Sequence, residues 1–299
     1  MEILYLLEAI RTPFLDQIMS LVTHLGSELF LIVGSLVVLW CIDKKWGYYL
    51  LFVSSIGTTI NQFLKNYFSV LRPWLKDPTF TVVESAKEAA TGYSFPSGHT
   101  QTAVGFFGGL IRVSKNRLVQ GLALIMILLV AFSRMYLGVH TFSDVALSII
   151  LGIVLVLVVY PLFFKLNKEY PAMFVGVVFA LFHVIYMELK LSGLMALDEV
   201  ALDGIKNAYT CLGLALAIPI VYYLDQKYIK YPIKAVWWAQ IIKCGIGLVI
   251  MLGIRVILKE PLYLLTNGHH IADMVRYFLL AFAGGALWPM TFKYFSKLR

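Results

Sequence analysis

Long apolar stretches alternate with short polar connections along most of the chain. Several of these stretches reach about 17–25 residues with almost no charge, the length that an α-helix needs to cross a hydrocarbon core of about 30 Å. The pattern predicts an all-α protein, a polytopic membrane helix bundle with about nine transmembrane helices. The predicted spans cover residues 19–42, 46–67, 98–114, 118–136, 141–164, 172–188, 208–224, 239–258 and 273–292. The longest polar connection covers residues 69–97.

Residues 1–18 follow a different pattern. Leu4, Leu7, Ile10 and Phe14 recur at helical spacing among charged residues. This spacing predicts an interfacial amphipathic segment, whose apolar face lies on the membrane surface. A cleavable signal peptide is not expected, because the segment has neither a basic start nor a small-residue cleavage site.

The composition is typical of a membrane protein and excludes a large soluble one. Of the 299 residues, 60% are hydrophobic and 14% are charged, and the mean hydropathy is +0.81. A soluble domain has about a quarter of its residues charged. The three cysteines have neither metal-ligand spacing nor the pattern of a disulfide framework, so we interpret them as small hydrophobic residues.

Basic residues are concentrated in alternate connections, which indicates how the chain is oriented in the membrane. One set of connections holds Lys44, Lys45, Arg112, Lys115, Arg117, Lys165, Lys168, Lys227, Lys230, Lys234, Lys293, Lys297 and Arg299. The opposite set holds most of the acids, including Asp77, Glu84, Glu88, Asp198, Glu199, Asp203 and Glu260. Because basic connections face the cytoplasm, we expect the N-terminus outside and the C-terminus in the cytoplasm. The net charge of +8 then follows from orientation, and no nucleic-acid partner is expected.

Four polar sequences stand at helix ends that this orientation places on the extracytoplasmic side. They are KNYFSVLRP (65–73), FPSGH (95–99), SRMYLGVH (133–140) and HTFSD (140–144). Their cations are Lys65, Arg72 and Arg134. Taken singly, each cation could anchor the chain at lipid headgroups. Three cations beside two histidines predict instead a site for a doubly charged anion such as phosphate.

The sequence PSGH predicts a helix start that can bind an anion. Ser97 is a good N-cap, and Gly98 has no side chain to keep an anion from the free N–H groups of the first turn. An ordinary helix start would explain Ser97, but it would leave His99 at the membrane boundary without a role.

His140 and Asp144 form a second pair with chemical potential. Four residues apart, they share one helical face, so the Asp144 carboxylate can accept a hydrogen bond from one ring nitrogen. The other ring nitrogen then keeps a lone pair that can attack phosphorus. The spacing alone is common, but here it follows Arg134 by six residues.

Three motifs together resemble the signature of a known family. Lys-x6-Arg-Pro begins at Lys65, Pro-Ser-Gly-His ends at His99, and Ser-Arg-x5-His-x3-Asp runs from Ser133 to Asp144. In this order and at these separations they look like the three-part signature of the type-2 phosphatidic acid phosphatases, membrane relatives of the vanadium haloperoxidases. The resemblance covers residues 20–165 and leaves the C-terminal spans outside it.

The resemblance implies a role for each residue of these motifs. The phosphate-binding residues would be Lys65, Arg72, Ser97, Gly98 and Arg134, with support from Ser133. In catalysis, His140 would attack phosphorus, Asp144 would orient it, and His99 would protonate the departing oxygen and then activate water. No metal and no cofactor is expected, because fixed cations neutralise the developing charge.

The resemblance also implies an organisation and an activity. We expect a phosphatase-like catalytic helix bundle at 19–188 and additional C-terminal transmembrane helices at 189–299. The expected reaction is metal-independent hydrolysis of a lipid phosphate monoester or diphosphate, through a phosphohistidine, at the extracytoplasmic face of a bacterial plasma membrane. The expected partners are the lipid substrate and membrane lipids. Two alternatives remain open: a lipid phosphotransferase with the same intermediate, and a lipid or anion transporter whose cations only capture anions.

Overall fold

A computed structural model describes residues 1–87, 90–193 and 199–298 of the chain. All the regular elements in these residues are helices, so the all-α prediction is confirmed. Six of the described helices are long and apolar enough to cross a membrane, and a helix pair bent by 49° is a seventh candidate. The protein is a multi-pass integral membrane protein. Glu88, Asp198 and Arg299, which entered the charge argument, lie outside the described residues.

Three helices form the N-terminal part of the chain. They are α1 (Glu2–Ala9), α2 (Pro13–His24) and α3 (Glu28–Val37), which continues as a π-helical turn over Val38–Ile42. Thr12 caps α2, because its side chain accepts from the amide of Leu15, and proline at the first helical position suits this start. Ser27 caps α3 in the same way through the amide of Phe30. The break between α2 and α3, closed by the Ser27 cap, divides the predicted span 19–42 into a bent pair.

The central helices follow in chain order. They are α4 (Lys44–Phe68), the short α5 (Pro73–Lys76) and α6 (Glu84–Lys87), α7 (Gly98–Ala103), α8 (Gly109–Val113), α9 (Arg117–Tyr136) and α10 (Phe142–Phe164). A π-helical turn, Val104–Gly108, joins α7 to α8. Helix α7 packs between α4, α9 and α10, so its N-terminus lies among the ends of these three helices.

Within the described residues, the C-terminal part contains six further α-helices. They are α11 (Glu169–Ser192), α12 (Glu199–Leu224), α13 (Trp237–Ile257), α14 (Lys259–Leu265), α15 (Ile271–Phe282) and α16 (Phe292–Phe295). Helix α12 packs against α11 and α15 and also against α4 of the central group. The predicted boundary at 188/189 falls within the last turns of α11, and the division into two parts stays a prediction.

Two of the nine predicted spans are helices that fall outside the candidates by length and composition. One is α4, and the other is the run from α7 to α8, which is short and contains the π-helical turn. The polarity of α4 has a structural reason, because its Asn61, Lys65 and Asn66 are buried inside the bundle. The number of nine spans therefore stays a prediction.

The N-terminal segment packs over the long connection between α4 and α7. Tyr5 donates to Asp77 Oδ2 over 2.6 Å. Arg11 donates to the carbonyl oxygens of Tyr136 (2.9 Å) and Thr81 (2.8 Å). These contacts tie the connection to the C-terminal end of α9. The interfacial location of the segment stays a prediction.

Candidate active site

The four polar sequences converge on one cavity of about 230 Å³. The cavity wall contains Lys65, Arg72, Gly98, His99, Arg134 and His140. The three cations lie within electrostatic range of one another and of the two histidines. Both histidines thus face one space, in which a single anion can contact them. The cavity wall as described does not include Ser97, Ser133 or Asp144, which are buried.

Arg72 is held over the cavity by the start of α5. Its backbone is extended, with φ −65° and ψ 153°, because Pro73 at the first helical position disfavours helical geometry in the residue before it. The guanidinium donates from Nε to Gly92 O over 3.1 Å and from Nη2 to Thr91 O over 2.7 Å. Burial lowers the pKa of Arg72 to about 10, so the side chain is still charged at neutral pH.

The same guanidinium fixes the protonation state of His140. Arg72 Nη1 lies 3.0 Å from Val139 O and 2.9 Å from His140 Nε2. Because arginine can only donate, Nε2 accepts this bond and carries no proton. Burial and the charge of Arg72 also lower the pKa of His140 well below its usual range, so the ring is neutral at pH 7.

Asp144 orients the His140 ring from the opposite side. Its Oδ2 lies 3.4 Å from His140 Nδ1, which bears the ring proton. Ser94 Oγ donates to the same oxygen over 2.5 Å, and the Thr141 amide donates over 2.8 Å. Thr141 and Asp144 also form a capping box at the start of α10. The carboxylate is therefore fixed by its own helix start, and the His140 lone pair at Nε2 points away from it.

The start of α7 contributes Gly98 and His99 to the cavity. Ser97 caps the helix: its Oγ lies 3.5 Å from the Thr100 amide and 3.0 Å from Thr100 Oγ1. A Cβ on Gly98 would lie 3.9 Å from Lys65 Nζ, within the space between that cation and the helix start. The absence of a side chain at Gly98 therefore keeps this space open.

Arg134 is held at the cavity with one donor unused. The side chain is 1% exposed, and Nη1 donates to Thr23 Oγ1 of α2. Its buried Nε has no hydrogen-bond partner within the part of the chain that the structure describes. The adjacent Ser133 donates instead to Val130 O of its own helix over 2.7 Å. An oxygen-rich anion in the cavity would give the Arg134 guanidinium the acceptor that it lacks.

The cavity wall also contains residues that the sequence motifs do not indicate. They are Glu28, Gln62, Asn66, Thr91, Gly92, Tyr93, Val200, Asp203, Gly204 and Asn207. Two pairs among them, Gln62 with Asn66 and Asp203 with Asn207, have i,i+4 spacing near the cavity end of a long helix. Polar side chains four residues apart in an otherwise apolar helix are the sequence feature that indicates such wall residues. The charge pattern predicts Asp203 in a connection between spans, whereas Asp203 lies in α12 on the cavity wall.

Comparisons with known proteins indicate the family of the chain. Residues 46–168 match the PAP2 superfamily, and residues 209–298 match the transmembrane extension of PAP2 superfamily phosphatases. Phosphatidylglycerophosphatase B of Bacillus subtilis is 32% identical over 161 residues, which are 49% of this chain and 74% of that protein. A dihydrosphingosine 1-phosphate phosphatase of Schizosaccharomyces pombe is 28% identical over 160 residues, 48% of this chain and 37% of that protein.

A solved structure also matches. It is the crystal structure of a transmembrane PAP2-type phosphatidylglycerolphosphate phosphatase from Bacillus subtilis, with 29% identity, coverage of 56% of this chain and 86% of that chain, and a TM-score of 0.46. The match to phosphatidylglycerophosphatase B of Bacillus subtilis establishes the family, because it has 32% identity and covers 74% of that protein. The chain belongs to the PAP2 superfamily, and it is a membrane lipid phosphate phosphatase, a hydrolase.

Proposed function

We propose that the protein releases phosphate from a lipid phosphate monoester or diphosphate at the extracytoplasmic face, through a phosphohistidine and without a metal ion. The observation that carries this proposal is the neutral His140 ring, whose unprotonated Nε2 faces the same cavity as three buried cations. A phosphate monoester brings up to two negative charges, which offset the mutual repulsion of these cations.

The first chemical step forms a bond from His140 Nε2 to phosphorus and breaks the bond from phosphorus to the lipid oxygen. Arg72 shifts from Nε2 to a phosphoryl oxygen when the substrate enters, which releases the lone pair. Lys65, Arg134 and the Gly98 amide bind the other oxygens. His99, which takes up a proton when the dianionic phosphate binds beside it, donates this proton to the leaving lipid oxygen, and general acid help of this kind contributes on the order of 10²–10⁴-fold.

The second step returns the enzyme to its starting state. His99, now without its proton, accepts one from water as the water oxygen attacks phosphorus. The bond from phosphorus to Nε2 breaks, and inorganic phosphate leaves. Throughout both steps Asp144 holds the proton on Nδ1 and stabilises the positive charge that the ring carries in the intermediate.

The substrate class follows from the chemistry of the site and from the relatives. The relatives named above act on phosphatidylglycerophosphate and on dihydrosphingosine 1-phosphate, which share a phosphate monoester on a membrane lipid. The orientation follows from the basic connections, which put the outer ends of α4, α7, α9 and α10 on the extracytoplasmic side. Because the relatives act on these two classes of lipid phosphate, both classes are the first substrates to measure.

The test is phosphate release from a panel of lipid phosphates by the purified protein in detergent, with a chelator present. His140→Asn should abolish turnover, whereas His24→Asn, at an exposed histidine outside the cavity wall, should leave it unchanged. Near-normal turnover by His140→Asn would rule out the nucleophile. Transfer of phosphate to a second lipid, with none released to water, would favour the phosphotransferase.

A further inference from the structure

A second cavity lies inside the membrane part of the bundle. It has a volume of about 110 Å³ and lies between α3 and α4 on one side and α12, α13 and α15 on the other. Its wall is mainly aliphatic and includes Leu31, Leu36, Leu39, Leu214, Ile218 and Met251. We call it the apolar chamber. Residues of the C-terminal helices form much of its wall.

Helix α12 lines both cavities with a single face. Val200, Gly204 and Asn207 line the polar cavity. Cys211, Leu214, Ile218 and Val221 continue the same stripe along the wall of the apolar chamber. The intervals between these seven positions are three or four residues, so they follow one side of the helix. The stripe passes from the wall of the polar cavity to the wall of the apolar chamber between Asn207 and Cys211.

The two cavities meet at Glu28. This first residue of α3 belongs to the walls of both, and its carboxylate lies within electrostatic range of Lys65. Helix α7 shows the same division, because His99 lines the polar cavity and Thr102, one turn deeper, lines the apolar chamber. A ligand with a charged head and an apolar chain would therefore find the two environments in the correct order.

The depth of the apolar chamber matches one leaflet of a bilayer. Glu28 and Leu39, at its two ends, are separated by eleven residues, or about 16 Å at 1.5 Å per helical residue. Half of a hydrocarbon core of about 30 Å is nearly the same length. A lipid whose phosphate sits beside His140 has its hydrocarbon chain at this depth.

We propose that the apolar chamber binds the hydrocarbon chain of the phosphate lipid, so that the C-terminal helices measure the length of the substrate. This inference rests on the proposed function, since it assigns the chain of the same substrate. The occupant is a hydrocarbon chain covalently joined to the bound phosphate.

The first test fills the chamber with Leu214→Trp. Leu214 lies seven residues beyond Asn207, or about 10 Å deeper, so only a long chain reaches it. The variant should lower kcat/KM for dioleoyl phosphatidic acid several-fold, because the indole occupies space that the long chain needs. It should leave kcat/KM for water-soluble dihexanoyl phosphatidic acid unchanged. Ile220→Trp is the matched control, because Ile220 lies on the exposed side of the same helix and is 42% exposed.

Equal kcat/KM ratios for the two lipids in wild type, Leu214→Trp and Ile220→Trp would overturn the assignment of the chamber while leaving the phosphatase activity intact. If the proposed function is wrong, the result is different: phosphate release from both lipids would be absent, or would be the same in wild type and His140→Asn.

A second measurement does not require a bulky substitution. Cys211 lines the apolar chamber, and it can be made the only cysteine by Cys41→Ser and Cys244→Ser. In a His140→Asn background, dioleoyl phosphatidic acid should slow the reaction of Cys211 with N-ethylmaleimide several-fold, and dihexanoyl phosphatidic acid should not. Equal labelling rates with and without dioleoyl phosphatidic acid would contradict binding of the chain in the chamber. Equal protection by dioleoyl phosphatidylcholine would also contradict it, because the chamber would then be filled by bulk lipid.

Discussion

Replacing Asp144 by asparagine should remove most of the turnover while leaving the fold intact. The asparagine can still accept the hydrogen bonds from Ser94 Oγ (2.5 Å) and the Thr141 amide (2.8 Å). It loses the negative charge that lies 3.4 Å from His140 Nδ1. That charge is needed most when the ring becomes cationic on bonding to phosphorus.

The size of the effect follows from this distance. Two unit charges 3.4 Å apart interact with about 5 kcal/mol at an effective dielectric constant of 20. The amide dipole of asparagine recovers part of this energy, so we expect a loss of about 3–5 kcal/mol, or about 10²–10⁴-fold in kcat. KM should change little, because the described cavity wall does not include Asp144.

The assay is steady-state phosphate release by Asp144→Asn, with size-exclusion elution and thermal unfolding as tests of folding. Ser94→Ala should give a smaller loss of about tenfold, because it removes one donor to the carboxylate and keeps the charge. Asp77→Asn, which changes a carboxylate that contacts Tyr5 outside the cavity wall, should have normal kcat. A kcat for Asp144→Asn within tenfold of wild type, or a loss confined to KM, would refute the orienting role.

Three further predictions test the charge, the anion and the packing. Arg72→Gln removes a charge that lowers the pKa of His140, and the pKa of His140 should therefore rise. With the same substrate, the acidic limb of the kcat/KM profile should move to higher pH, and an unmoved limb would contradict this coupling. Orthovanadate should inhibit in competition with the lipid substrate, and insensitivity would argue against a phosphoryl-binding cavity. Gly213→Ala would place a Cβ 2.2 Å from Met274 O, so α12 and α15 must separate at a cost of about 1–3 kcal/mol, seen as a lower Tm. Gly245→Ala, which meets nothing within 4 Å, should keep the native Tm, and equal Tm values for both variants would show that this contact is not tight.

The part of the site that the sequence predicts well depends on neighbours in the chain. His140 and Asp144 are four residues apart at a helix start, and Pro73 determines the backbone of Arg72, so local geometry suffices for both. The N-cap role of Ser97 is equally local and is confirmed, whereas the phosphate-binding role of its hydroxyl comes from the family resemblance. The hydroxyl was predicted to bind phosphate, and it contacts Thr100 of its own helix, because a hydroxyl at a helix end bonds the nearest backbone group. Its contact with phosphate stays a prediction.

The part that the sequence does not predict depends on packing between distant helices. Glu28 and Asp203 stand 175 positions apart, and only the contact of α12 with α4 and the start of α3 near Lys65 bring both to the cavity. Hydropathy also treats a helix as uniform around its axis. Helix α4 presents Asn61 and Lys65 inward, so its mean polarity says little about whether its outer face contacts lipid.

Clustered cations and unsatisfied donors are the physical basis of the selectivity that we propose for the site. Three cations are buried near one another, and Glu28 and Asp144 offset only part of the repulsion at Lys65. Arg134 Nε has no partner in the described residues, and the Arg72 guanidinium rests on the lone pair that must attack. A phosphate monoester corrects all three features at once, because it supplies two charges and several acceptor oxygens. A phosphodiester supplies one charge and carries a second alkyl group where Lys65 and the Gly98 amide must approach. In the proposed mechanism, the arrangement around His140 therefore favours a terminal phosphate over the diesters of the surrounding membrane.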